Sequence, residues 1–116
     1  MIRKEDLTLE QRISLVEFKQ QLLFENTPLS MFMFEYDISA EQNHKLGDLM
    51  DEYRKQIELH KEVNSSSFED AIYQILPHIK MDYHFCELYA KRCMEQGSWE
   101  EVFPALYGDS IKYKGI

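Results

Sequence analysis

Between Leu9 and Glu25 apolar residues recur at helical spacing on two sides at once. At about 100° per residue, Leu9, Ile13, Val16, Leu23 and Phe24 form one stripe, and Leu15, Phe18 and Leu22 run along nearly the opposite side. A helix that is apolar on both sides must bury two surfaces. One belongs to the core; the other faces either a second internal helix or another copy of the chain.

The next segment, Pro28 to about Tyr36, carries Leu29, Met31, Phe32, Met33, Phe34 and Tyr36 in all directions. That pattern predicts a helix buried in the core or in contact with a partner, and adjacent Met and Phe side chains make an adaptable surface. From Ala40 to about Glu62 the pattern is cleanly amphipathic. Leu46, Leu49, Met50, Tyr53, Ile57 and His60 share one arc, while Glu41, His44, Asp48, Asp51, Lys55, Glu58 and Glu62 gather on the other, giving a solvated and mostly acidic face.

After "NSSS", read as a link, "FEDAIYQILPHI" predicts a short helix that ends or kinks near Pro77. Asp82 reads as the cap of a helix running to about Gln96 and stopped by Gly97. The last helix is expected to begin after Ser98, with Trp99, Val102, Phe103, Leu106 and Tyr107 as its buried side and a bend at Pro104. The tail "GDSIKYKGI" is expected to fray in part. Helix starts are marked by capping boxes, a hydroxyl followed three residues later by Glu or Gln: Thr8 with Gln11, Ser39 with Gln42 and Ser98 with Glu101. Ser67 with Asp70 is a weaker case, and Thr27 precedes a proline suited to a first helical position.

Composition changes this picture little. The chain has 116 residues, 44% apolar and 29% charged, with four glycines and three prolines, which suits one helical globular domain over 1–116. Its formal charge of -8 disfavours direct nucleic-acid binding, which relies on clustered Lys and Arg. Two cysteines, and no export-type apolar stretch in "MIRKEDLTLEQR", point to the cytoplasm. No apolar run approaches the ~18 residues of a membrane span.

Candidate chemistry concentrates in "HIKMDYHFCELYAKRC", residues 78–93. On a helix capped by Asp82, Cys86 and Cys93 point the same way while His84 lies far round the cylinder, so one metal does not suit them. Two helical turns, ~10.5 Å, also exceed the span of a disulfide. Both cysteines read as small core hydrophobes. "EQNH" matches the Glu-x-x-His element of di-iron bundles, with Asp48 a third oxygen donor, but that fold needs two such elements. His60 on an apolar face and His78 beside Pro77 read as hydrogen-bonded core residues. No nucleophile comes with a base and an orienting group, so no catalytic residue, metal or cofactor is assigned.

The order of "RISLVEFKQQLL", "TPLSMFMFEYDISAEQ", "DLMDEY", "SFEDAI" and "CMEQGSWEEVFPALYGD" resembles the YhaI-like family of small, all-helical Bacillus-type proteins of unknown function. The resemblance implies a helical fold and a cytosolic location and carries over no catalytic residues.

These readings converge on an all-α bundle of about five or six helices acting as a non-enzymatic interaction or regulatory protein. Self-association is expected through Leu15, Phe18 and Leu22 or through the segment containing Met31, Phe32 and Phe34. The alternative is an acidic inhibitor or immunity-type protein that meets a basic enzyme or a nucleic-acid-binding protein through Asp48, Asp51, Glu58 and Glu62. A metal-dependent enzyme built on Glu41, His44 and Asp48 or on the His84 region is the third reading.

Overall fold

Side-chain caps open five of the six helices in the computed structural model, which describes residues 7–108. Thr8 and Gln11 form a reciprocal capping box at the start of α1 (Leu9–Glu25), and Thr27 with Ser30 does the same for α2 (Pro28–Glu35). Ser39 and Gln42 close the box that starts α3 (Ala40–Glu58). Each box satisfies amides that the first turn of a helix leaves unpaired. Asn64 caps α4 (Ser65–Ile75), a 3-10 turn follows at Pro77–Ile79, and Asp82 caps α5 (Tyr83–Glu95) by accepting from the Phe85 amide at 3.1 Å. The short α6 (Val102–Tyr107) has no side-chain cap. The described residues form an all-α multi-helix bundle, and none of their helices is long and apolar enough to cross a membrane.

Three boundaries differ from the sequence pattern. Helix α3 stops at Glu58, because His60 takes a left-handed φ of 57° and Lys61 N–H reaches back to the Gln56 carbonyl at 2.9 Å. With His60 N–H on the Ile57 carbonyl, this is a Schellman ending, here without the usual glycine. His60 and Glu62 therefore lie beyond the helix, exposed, and not on the faces the periodicity gave them.

The "NSSS" stretch is not a link. Asn64 accepts from the Ser67 amide at 2.8 Å, so the serines form the first turn of α4. Ser98 and Glu101 do not form a capping box, because Trp99 is also left-handed, with φ 49°, and α6 begins three residues later. Pro104 consequently sits in the first turn, where its missing N–H interrupts no helical hydrogen bond. The tail expectation falls on residues 109–116, outside the described residues.

The core lies where α2, α3, α4, α5 and α6 converge. Phe32, Tyr36 and Phe85 pack as a trio with ring centroids 4.8–5.0 Å apart, and Tyr89 stacks on Phe85 at 6.3 Å. A second group centres on fully buried Phe68, with Tyr53 edge-on at 5.2 Å and Tyr107 at 6.5 Å. Polar contacts join the helices around this interior. The Tyr107 hydroxyl donates to Glu69 at 2.7 Å, the Trp99 indole to Asp51 at 2.7 Å, and Arg54 meets Glu101 at 2.6 Å. Lys19 pairs with Asp37 and lies over the Phe34 ring, fixing α1 to the end of α2.

Candidate interaction surface

The two apolar stripes of α1 have opposite fates. Leu22 is 1% exposed and packs in the core, with Phe18 partly buried beside it and Leu15 half-buried. The stripe expected to self-associate is thus the inward one, and its expected role as an outer contact is corrected: these side chains are already covered by the chain's own α2 and core. The same holds for α2, where Phe32 is buried, Phe34 packs against the core and Met31 is half-buried.

The other stripe faces solvent. Leu9 is 72% exposed, Val16 56% and Phe24 93%, with Ile13 and Leu23 each about half exposed. No described element packs on this side, and over the first half of α1 the opposite side is bare as well, for a reason of length. Helix α2 has 8 residues and α1 has 17, so at about 1.5 Å per residue α2 covers only the C-terminal half of its neighbour. Residues 8–14 are exposed all round. A sequence signal for this existed: the inner stripe begins only at Leu15, whereas the outer one spans the whole helix.

The acidic face of α3 is less free than its sequence suggests. Asp51 accepts the Trp99 indole, Glu58 lies 3.8 Å from Arg54, and Asp48 lies 3.7 Å from His44, while Glu62 has left the helix. Glu41 pairs with Lys45 at 3.5 Å. Among the described residues no three His, Cys, Asp or Glu side chains come together as a metal site. His84 is exposed, its ring tilted against that of Tyr83 with centroids 4.1 Å apart.

The cysteines are interior groups. Both are free and buried, and burial pushes each thiol from about 9 up to about 12, partly offset by hydrogen bonds with Tyr73 for Cys86 and Tyr89 for Cys93. A nucleophilic cysteine needs the opposite shift, toward the thiolate. Burial, reinforced by the hydrogen bond to Glu69 and its charge, also raises the Tyr107 hydroxyl far above the ordinary tyrosine range.

A raised folded-state value favours the protonated form, so the stability it confers is complete below about pH 9 and is lost as pH climbs toward about 12. Two results are expected. At pH 8 both thiols should react with a disulfide reagent at least 100-fold more slowly in the native chain than in denaturant. The melting temperature should fall steadily above pH 9 and by less in a Cys86→Ala, Cys93→Ala chain, measured against its own neutral value.

His78 bridges two segments, its Nε2 lying 3.2 Å from the Tyr36 carbonyl, which accepts. It joins the end of α2 to the 3-10 turn and serves the fold, although it is only half-buried.

No family model, curated protein or solved structure matches the chain. The resemblance to the YhaI-like family rests on the quoted motifs alone.

Proposed function

We propose that this chain is a non-enzymatic interaction or regulatory protein of the cytosol and that it acts through the outward face of α1. One observation carries the reading: five large apolar side chains on one helix face, each about half exposed or more, in a protein whose core is complete without them. The patch presents on the order of 600 Å² of apolar surface, at the upper end of what a monomer carries. Exposing it to water has no benefit for the fold. The two unpaired, buried thiols suit a reducing compartment.

Extract of the native host, separated by size, tests the reading. The wild-type chain should run in a species larger than its 13.9 kDa monomer, and a Val16→Glu chain with an unchanged circular dichroism spectrum should run as the monomer. Val16 is exposed and mid-helix, and glutamate is at least as good a helix former as valine, so the substitution should leave the fold intact. A wild-type chain running as a monomer at its native abundance would remove the reading.

A further inference from the structure

The outward face of α1 has a heptad layout. Leu9, Val16 and Leu23 are spaced by seven, and Ile13 and Gln20 fall between them, also spaced by seven, so the five occupy alternating seam positions of a short coiled coil. Arg12 borders the seam on one side, and Glu10 and Glu17 border it on the other. Arg12 and Glu17 are both exposed, and neither has an ion-pair partner among the described residues. Lys19, the second cation on the Arg12 side, is already held by Asp37.

Flanking charges set the orientation of paired helices. In a parallel pair, one flank of each helix meets the opposite flank of its neighbour, which brings Arg12 to Glu17 of the second helix five residues further on. Symmetry makes the contact twice. An antiparallel pair would instead set Arg12 toward Lys19, whose charge Asp37 already meets, leaving Arg12 without a carboxylate, and would set Glu10 toward Glu17, like against like. Gln20 stands at a seam position where a polar side chain fixes register by meeting its own copy.

We propose that the outward face of α1 is covered by the same face of a second copy of this chain, packed parallel about a twofold axis, with Arg12 of each copy paired to Glu17 of the other. The proposal rests on the interaction reading above and names its partner. Three observations converge on a second copy as the occupant. The seam is self-complementary, the flanking charges complement each other only in the parallel arrangement, and the roughly 600 Å² of apolar surface, with the flanking polar groups, approaches the ~800 Å² per partner of a standard interface. A fourth is structural. Residues 8–14 extend beyond the chain's own packing, and an uncovered helical segment of that length is marginal in water unless something packs against it.

Two measurements on the purified 116-residue chain test the proposal. Sedimentation at about 100 µM should give a dimer for wild type and a monomer for Val16→Glu. Arg12→Glu should weaken the dimer about tenfold, and adding Glu17→Arg should restore it. The second is oxidative cross-linking of Leu9→Cys and Leu23→Cys, each alone. A parallel seam sets each position against its own copy, within the ~7 Å that a disulfide requires, so each variant should form a linked dimer, with Cys86 and Cys93 too buried to compete.

An antiparallel pair holds position 9 near position 23, ~21 Å from its own copy. Cross-links formed only when the two variants are mixed, or an Arg12→Glu dimer tighter than wild type, would overturn the parallel arrangement. A dimer that survives Val16→Glu would place the contact on another face. A chain that is monomeric alone yet enlarged in host extract would overturn the second copy and leave the interaction reading standing with a different protein as occupant.

Discussion

Replacing Leu22 with lysine should unfold the protein, whereas the same change at the next residue, Leu23, should leave the melting temperature of the monomer, compared in a Val16→Glu background, within a degree or two of its parent. The two leucines are neighbours in sequence and lie 100° apart on α1. Leu22 is 1% exposed in the core, and Leu23 is about half exposed on the outward face. Lysine at 22 forfeits the burial of a leucine and forces an ammonium group into the apolar core. The combined penalty is about 4 kcal/mol or more, comparable with the whole stability of a small domain. Lysine at 23 loses only partial burial and sits in water. Thermal and urea unfolding of the two chains check the difference. Equal effects would mean that the inward and outward faces of α1 have been exchanged.

Phe85→Ala is expected to destabilise by about 4 kcal/mol, and Phe24→Ala by less than ~0.5 kcal/mol in the monomer. Phe85 is 1% exposed and makes ring contacts with Phe32, Tyr36 and Tyr89, which belong to α2, the turn that follows it, and α5 itself. Its removal leaves a cavity that rings fixed on separate elements fill only in part. Loss of those contacts also loosens the attachment of α5 to α2. Phe24 is 93% exposed and has no such neighbours to lose. Urea titrations of both variants give the comparison, and a Phe85→Ala chain less than 1 kcal/mol below wild type would mean that the aromatic trio contributes little to the fold.

The capping chemistry shows how far local rules reached. Thr8 with Gln11, Ser39 with Gln42, Thr27 before Pro28, and Asp82 all start helices where the sequence places them, because a cap is decided by side chains within three residues of the amides they satisfy. The same locality explains the misses. Asn64 competes with Ser67 for one helix start, and both are ordinary caps; the geometry of the 64–67 turn selects the asparagine. At His60 and Trp99 the chain enters left-handed backbone without glycine. In the second case the indole is held by Asp51, 48 residues away, a partner no local pattern can reveal.

The sequence by itself determined the helical class, four of the helix starts, the two-sided character of α1 and the interior role of both cysteines, since each follows from periodicity, capping or spacing within one helix. Tertiary structure alone decided which stripe of α1 is the core and which is the surface. Leu15, Phe18 and Leu22 are inward because α2, only eight residues long, and α3 pack on that side of α1. Leu9, Ile13, Val16, Leu23 and Phe24 are outward because no described element is left to cover the other. Two apolar faces of similar strength are equivalent to a helical wheel. Only the length and placement of the neighbouring helices break the tie, and those depend on contacts between residues far apart in the chain.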